Sequence, residues 1–127
     1  MNKEDLKDKI SKASYIVTQE HGTEAPFSGE LLDIKEEGIF TCVCCGNELF
    51  SSDTKYDSGT GWPSFWDVLN ENSVGEEIDK SHGMIRTEVH CQKCSAHLGH
   101  LFLDGPMPTG KRYCMNSVSM QFKKSDK

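Results

Sequence analysis

The sequence predicts a mainly antiparallel β domain that begins with one or two short helices. From Gly38 onward, short runs rich in β-branched and aromatic residues alternate with turn residues, which is typical of antiparallel strands. Before Gly38, apolar residues first recur at helical spacing, and turn residues then dominate. The 127 residues suit one domain. We expect a helical segment at 1–22, a β core at 23–122 and a frayed tail at 123–127.

The helical prediction covers residues 4 to about 20. Leu6 and Ile10 fall on one helix face, Asn2 fits the N-cap position, and Gly22 fits the stop. The turn-rich residues 21–37 then predict a loop that wraps the body.

Four strands can be placed by composition or alternation. They are Ile39–Val43, Glu48–Phe50, Met84–His90 and Ser117–Phe122. Within Met84–His90, Arg86 and Glu88 point to the face opposite Thr87 and Val89.

The charge balance argues against two classes of partner. A formal net charge of -6 disfavours nucleic acid and anionic membranes. The charged N-terminus has no apolar core of a secretory signal, and no run reaches the roughly 20 apolar residues of a membrane span. We expect a cytoplasmic monomer that binds neither nucleic acid nor membrane.

Two C-x-x-C pairs predict a zinc site. Cys42 and Cys45 form one pair, and Cys91 and Cys94 form the other, which completes a tetrahedral set of four thiolates. A single pair would leave a redox dithiol open, whereas two pairs favour zinc. Cys44 makes Cys42-x-Cys44 an alternative ligand pair, but the matched spacing of the two pairs favours Cys45.

The run Cys91-x-x-Cys94-x-x-His97-x-x-His100 offers a second arrangement of ligands. A zinc finger separates its cysteine and histidine pairs by about twelve residues. This spacer is too short to close one tetrahedron, so we expect both histidines to be free for other work.

Cys114 is a candidate nucleophile. If Lys111–Ser117 is a strand, Arg112, Cys114 and Asn116 share one face. The guanidinium favours a thiolate, and the carboxamide can donate a hydrogen bond to it. The alternative is a buried core cysteine, which is common, although polar neighbours on the same face make a poor dry core.

His97 and His100 are separated by an odd offset, so a regular strand would place them on opposite faces. A bulge or bend at Gly99 would bring both to one site. The alternative is one exposed and one packed histidine.

A glycine-flanked loop carries Trp62, which suits a wall for a small apolar group. Trp62 and Trp66 could equally be core anchors. Gly59-x-Gly61 lacks the third glycine and the following helix of a nucleotide-binding loop.

Four segments together resemble methionine sulfoxide reductase B. They are Ser58–Phe65 (SGTGWPSF), Arg86–Val89 (RTEV), His97–Pro106 (HLGHLFLDGP) and Pro108–Ser117 (PTGKRYCMNS). The resemblance runs from about Thr23 to Phe122 in one order and includes all four paired cysteines.

The resemblance implies a β-tent of two antiparallel sheets and reduction of the R epimer of methionine sulfoxide, mainly in proteins and peptides. It makes Cys114 the nucleophile and Trp62 the residue that receives the substrate's methyl group. It assigns zinc a structural role away from the active site. The remaining family active-site positions correspond to His97, His100, Asp104, Arg112 and Asn116.

The resemblance also implies the reaction cycle. The Cys114 thiolate attacks the sulfoxide sulfur, a histidine (we favour His100) donates a proton, and Cys114 becomes a sulfenic acid. Thioredoxin or another thiol restores it, with no bound redox cofactor. Many family members have a resolving cysteine where this chain has Thr60. Because Cys44 lies in the zinc knuckle, we expect an external thiol to resolve Cys114.

Two other functions compete with this one. A zinc-stabilised module could bind oxidised methionine through Trp62 and Trp66 without chemistry, but such a module would not need Cys114. A zinc-ribbon nucleic-acid adaptor is disfavoured by the acidic charge.

Overall fold

A computed structural model describes residues 8–20, 22–27, 29–80, 83 and 85–124. Its helix α1 spans Lys12–Glu20. Ser11 caps this helix, because its Oγ accepts the backbone N–H of Ser14 at 3.1 Å. At the other end the N–H of Gly22 donates to the carbonyl of Ile16 at 3.1 Å. No helix in the described ranges has the length and apolar character that crossing a membrane requires.

The helical segment predicted over residues 4 to about 20 is interrupted near its middle. Residues 8 and 9 are helical, but Ile10 and Ser11 leave the helix before α1 begins. The cause is the Ser11 hydroxyl, which satisfies a backbone donor of the new helix and so favours a cap over a helix interior. The predicted cap Asn2 and the apolar Leu6 lie outside the described residues.

The described residues form nine strands. In chain order they are β1 Gly38–Cys42, β2 Glu48–Ser51, β3 Lys55–Tyr56, β4 Ser64–Phe65, β5 Val74–Asp79, β6 Arg86–Cys91, β7 His97–Phe102, β8 Arg112–Met115 and β9 Met120–Lys124. One sheet has the order β2-β1-β9, and the other has the order β3-β4-β8-β7-β6-β5. Every pairing in both sheets is antiparallel. The predicted mainly β fold of two antiparallel sheets is confirmed.

Aromatic side chains from both sheets meet in the core between them. Phe40 and Phe50 are cross-strand partners in the small sheet, and Phe65 and Tyr113 are partners in the large one. The Phe50 and Phe65 rings stack at 4.3 Å, and the Phe40 ring meets Phe65 edge-on at 5.0 Å. Such contacts add to the apolar burial that holds the sheets together.

The predicted strand Ser117–Phe122 is wrong in its first half. Ser117–Ser119 form a 3-10 turn, and β9 begins at Met120. The turn closes because both the backbone N–H and the hydroxyl of Ser119 donate to the carbonyl of Asn116.

The strand predicted over Lys111–Ser117 corresponds to β8, which is shorter and ends at Met115. The tail predicted to fray is partly ordered, since Lys123 and Lys124 pair with Ile39 and Gly38 in β9 and β1. Residues 125–127 lie outside the described part of the chain.

Candidate active site and metal centre

The two C-x-x-C pairs form matching turns. The first follows β1, where the N–H of Gly46 donates to the carbonyl of Cys42 at 2.9 Å. The second follows β6, where the N–H of Ser95 donates to the carbonyl of Cys91 at 2.8 Å. Gly46 and Ser95 hold the same place in the two turns, and both have positive φ, at 79° and 66°. This turn therefore requires a left-handed residue, which glycine supplies without strain.

The four paired cysteines converge on one point. The sulfurs of Cys42, Cys45, Cys91 and Cys94 all lie within 4.8 Å of one another. The Cys42–Cys94 and Cys45–Cys91 sulfur pairs are 3.6 and 3.5 Å apart. Four thiolates about 2.3 Å from a tetrahedral ion would be roughly 3.8 Å apart. The four sulfurs therefore fit one metal ion in the tetrahedral geometry that zinc prefers.

Cys44 lies beside this cluster but outside it. Its sulfur accepts a hydrogen bond from Nε2 of Gln19 at 3.6 Å. The residue is 3% exposed and faces a cavity between α1 and β9, away from Cys114. This arrangement favours Cys45 over Cys44 as the fourth ligand.

A separate cavity of about 270 Å³ surrounds Cys114. Its lining consists of Thr23, Thr60, Trp62, Arg86, Gly99, His100, Phe102, Arg112, Cys114 and Asn116. This volume lies just below the roughly 300–1,000 Å³ of sites for drug-sized ligands, so the cavity suits a group the size of one side chain.

Alternation in β8 places Cys114 in this cavity. Tyr113 and Met115 are 2% and 0% exposed and face the core. Arg112 and Cys114 therefore point the other way, and both line the cavity. Across the strands, Cys114 pairs directly with His100 of β7 and with Ser64 of β4.

The environment of the Cys114 thiol contains opposing influences. Burial raises its pKa, and the Thr60 hydroxyl and the Arg112 guanidinium act in the opposite direction. Arg112 is held by Asp104 through two hydrogen bonds, from Nε at 2.8 Å and from Nη2 at 3.2 Å. This pairing lowers the pKa of Asp104 and raises that of Arg112. The guanidinium also lies 4.3 Å from the centre of the Phe102 ring.

An irregularity in β7 brings His97 and His100 together. Opposite β6, Val89 pairs with Gly99 but His90 pairs with His97, so Leu98 is an extra residue. The two histidine rings lie 5.4 Å apart, nearly perpendicular. His100 lines the cavity, whereas His97 is 2% exposed and packs against His100.

A carboxylate holds each histidine. Nδ1 of His97 lies 2.9 Å from Oε1 of Glu88, and Nε2 of His100 lies 2.9 Å from Oδ2 of Asp79. The same Asp79 oxygen accepts a hydrogen bond from Nη2 of Arg86 at 3.3 Å. Carboxylates only accept when ionised, so they fix the ring nitrogens as donors.

Gly99 allows β7 and β8 to approach at this point. A Cβ on Gly99 would lie 2.1 Å from the carbonyl oxygen of Cys114, far inside van der Waals contact. The glycine is therefore required for the close packing of the strands that carry His100 and Cys114.

The backbone of Glu24 joins two walls of the cavity. Its carbonyl accepts the indole N–H of Trp62 at 3.0 Å, and its N–H donates to Oδ1 of Asn116 at 3.0 Å. The Asn116 amide in turn donates to the carbonyl of Leu98 at 3.0 Å. These bonds orient the amide toward backbone groups, so Asn116 fixes the cavity wall beside the thiol.

Thr60 contacts the thiol directly, with 3.9 Å between its Oγ1 and the Cys114 sulfur. Behind it, Oγ of Ser58 lies 2.8 Å from Oγ1 of Thr60 and 2.7 Å from Oγ of Ser64. The hydroxyl of Ser64 donates to the carbonyl of Trp62 at 3.1 Å.

The structure gathers most of the site residues that the sequence predicts. Trp62, His100, Arg112, Cys114 and Asn116 line one cavity. His97 and Asp104 support it from outside the lining.

Sequence reasoning did not assign Asp79, Glu24 or Phe102 to the site. Phe102 could have been found, because it is two residues after His100 on one strand. Neither Asp79 nor Glu24 lies in a local sequence pattern that would indicate a place in the site.

Comparison with known proteins gives the family. The SelR domain family model matches residues 10–124. A peptide methionine sulfoxide reductase MsrB of Hahella chejuensis is 54% identical over 123 residues, which cover 97% of this chain and 88% of the relative. The MsrB of Herminiimonas arsenicoxydans is 60% identical over 113 residues, covering 89% and 82%. The MsrB of Escherichia coli O45:K1 is 55% identical over 119 residues, covering 94% and 87%.

A solved structure shares the fold at low sequence identity. The crystal structure of the Mis18 "Yippee-like" domain matches with a TM-score of 0.57 and 19% identity, covering 72% of this chain and all of that domain. At this identity the likeness concerns architecture alone. The family match and the relatives, which span nearly the whole chain, place the protein among the oxidoreductases of the methionine sulfoxide reductase B (SelR) family.

Proposed function

We propose that the protein reduces methionine-R-sulfoxide, mainly in peptides and proteins, to methionine, with Cys114 as the nucleophile. The observation that carries this proposal is the direct pairing of Cys114 with His100 inside a cavity walled by Trp62. A nucleophile and a proton donor thus face one space of side-chain size.

The proposed first step is attack of the Cys114 thiolate on the sulfoxide sulfur. The sulfur–oxygen bond of the substrate breaks, the oxygen passes to Cys114, and one proton taken up through His100 completes a sulfenic acid. Methionine leaves, reduced by two electrons that Cys114 supplies. Trp62 and Phe102 offer apolar surface for the substrate's methyl end, and Arg112 favours the thiolate.

The proposed second step uses an external thiol. The thiol condenses with the sulfenic acid, forms a mixed disulfide and releases water, and a second thiol then restores Cys114. Thioredoxin, a dithiol protein, suits both steps. Thr60 provides no thiol, and Cys44 faces another cavity beside the cysteine cluster. We therefore favour a one-cysteine cycle, which fits a monomer in a reducing cytoplasm.

We propose that Cys42, Cys45, Cys91 and Cys94 hold one zinc ion. The ion would fix the turns after β1 and β6 and so join the two sheets. It supplies no chemistry to the cavity, whose lining includes none of these cysteines.

The test is reduction of a peptide carrying either methionine-R-sulfoxide or methionine-S-sulfoxide, with dithiothreitol as the donor. We expect the wild type to consume the R epimer and Cys114→Ser to be inactive. Cys44→Ser is the matched control, because it removes a buried cysteine outside the cavity and should retain activity. Turnover by Cys114→Ser would refute the assignment.

A further inference from the structure

A chain of three hydroxyl groups ends on the proposed nucleophile. Ser64, Ser58 and Thr60 are linked by oxygen separations of 2.7 and 2.8 Å, and the Thr60 oxygen lies 3.9 Å from the Cys114 sulfur. Ser64 is 1% exposed, so its end of the chain is closed to solvent.

The direction of this chain follows from counting hydrogens. Each hydroxyl carries one hydrogen, and the Trp62 carbonyl can only accept. Since Ser64 donates to that carbonyl, Ser64 must accept from Ser58. Ser58 must then accept from Thr60, whose backbone N–H also points at the Ser58 oxygen at 3.4 Å. Thr60 is left with a lone pair toward Cys114, which suits a neutral S–H donor.

A thiolate needs the opposite arrangement. A negative sulfur only accepts, so Thr60 must turn its hydrogen toward Cys114. The Thr60 oxygen then accepts a hydrogen bond from the Ser58 hydroxyl, and the Ser58 oxygen accepts one from the Ser64 hydroxyl. Each hydroxyl rotates about its C–O bond and no proton passes among them, while the thiol proton itself leaves to a base from solvent. In this state the Ser64 hydroxyl no longer donates to the Trp62 carbonyl.

We propose that the Ser64–Ser58–Thr60 chain reverses its hydrogen-bond direction when Cys114 ionises, and that Thr60 is a catalytic residue which donates to the thiolate. Ser58 and Ser64 are positioning residues that act through Thr60. The inference rests on the proposed role of Cys114. It gives Thr60 a function of its own.

The test is the pH profile of Cys114 alkylation by iodoacetamide, with the labelled peptide identified by mass spectrometry. Thr60→Val removes the hydroxyl while keeping the shape of the side chain, and Thr60→Ser restores the hydroxyl. We expect the Thr60→Val profile to move to higher pH, with alkylation about tenfold slower on the rising limb. Thr60→Ser should stay near the wild type, and Ser58→Ala should show a smaller shift of the same sign.

The matched control is Thr54→Val, because the Thr54 hydroxyl lies within hydrogen-bonding distance of two carbonyls, those of Ser51 at 3.1 Å and Asp67 at 3.2 Å, and does not line the cavity. Its profile should equal that of the wild type. Other charged or titratable groups around the thiol are unchanged in every variant. They are Glu24 on the N-terminal loop, Tyr56 of β3, Arg86 of β6, His100 of β7, Asp104 and Arg112.

Two results would overturn the inference. One is a Thr60→Val profile equal to the wild type, and the other is a Thr60→Ser profile shifted as far as that of Thr60→Val. Both differ from a failure of the proposed function, in which wild-type protein alkylates at Cys114 but consumes no sulfoxide.

Discussion

Asp79 holds His100 from two strands away. Its Oδ2 lies 2.9 Å from Nε2 of His100, and the same oxygen lies 3.3 Å from Nη2 of Arg86. Asp79 ends β5, His100 is in β7, and Arg86 of the intervening β6 pairs with Asp79 in register. The carboxylate and the guanidinium thus fix the ring that faces Cys114.

Asp79→Asn should lower kcat for sulfoxide reduction by about tenfold to a hundredfold with little change in KM. The amide keeps the shape but no longer presents two accepting oxygens, so the His100 ring loses its fixed orientation. The effect should stay below the roughly 10²–10⁴-fold that general acid catalysis supplies. Steady-state kinetics with a sulfoxide peptide measure it.

Glu76→Gln is the control for this variant, since Glu76 is an exposed carboxylate on the same strand. It should match the wild type. An Asp79→Asn enzyme with wild-type kcat would mean that the carboxylate does not position His100.

Gly99→Ala should destabilise the fold by about 2 kcal/mol or more, because its Cβ would meet the Cys114 carbonyl at 2.1 Å and push β7 from β8. Urea unfolding measures the loss. Gly110→Ala is the control, since Gly110 has positive φ but nothing within 4 Å of an added Cβ. A Gly99→Ala loss no larger than that of Gly110→Ala would mean that the close contact with the Cys114 carbonyl adds nothing to the cost of replacing a glycine.

The sequence predicts features that depend on one strand or one turn. The alternation around Cys114 predicts that Arg112, Cys114 and Asn116 lie on one side of the chain, and all three line one cavity although β8 ends at Met115. The spacing of the cysteine pairs predicts the cluster, because each pair forms its own turn and the four sulfurs meet once the two turns lie side by side. The odd offset of His97 and His100 even predicts that a bulge is needed, and β7 contains it.

Features that depend on distant segments were not predictable. Glu24 reaches Asn116 across 92 residues of sequence, and Asp79 reaches His100 across 21. Only the order and register of the strands decide such pairs, and neither follows from local pattern. The 3-10 turn at Ser117–Ser119 replaced the first half of a predicted strand, because the N–H and the hydroxyl of Ser119 both donate to the nearby carbonyl of Asn116 and so close a local turn.

Thr60→Cys should convert the cycle to one with an internal disulfide. The Thr60 oxygen is already 3.9 Å from the Cys114 sulfur, and glycines on both sides allow the loop to adjust. After one equivalent of sulfoxide without reductant, intact-mass spectrometry and peptide mapping should find a disulfide between the introduced thiol and Cys114. Dimedone labelling of the sulfenic acid should fall.

The wild type is the comparison for Thr60→Cys and should give a dimedone-labelled Cys114. A Cys44–Cys114 disulfide in the wild type would contradict the one-cysteine cycle. Undiminished labelling of Thr60→Cys would show that the loop cannot close the bond.

Loss of the metal should lower the stability of the fold and not merely slow the reaction. Elemental analysis should find one zinc per chain in the wild type and none in Cys94→Ser, with a Tm lower by about 10 °C or more. Cys44→Ser should keep the zinc, because Cys44 lies outside the cluster of four. The reverse pattern, with zinc lost from Cys44→Ser and kept in Cys94→Ser, would show that the ligand set is wrong.

Glu24→Gln should stabilise the protein at neutral pH and not at acid pH. Burial raises the pKa of the Glu24 carboxyl above its ordinary value of 4.5, even though its Oε1 accepts the N–H of Val118. The folded state therefore binds this proton more tightly than the unfolded state does. The resulting stability is present below pH 4.5 and is lost as the pH rises through the raised pKa.

At pH 7 the wild type carries a partly buried charge that glutamine removes, so Glu24→Gln should gain stability there, by less than about 1 kcal/mol because solvent screens the group. Thermal unfolding from pH 4 to pH 8 measures the difference, which should shrink toward the acid end. A difference independent of pH would mean that packing, not ionisation, causes it. Activity should persist, because Trp62 and Asn116 bond to the Glu24 backbone, which the substitution retains.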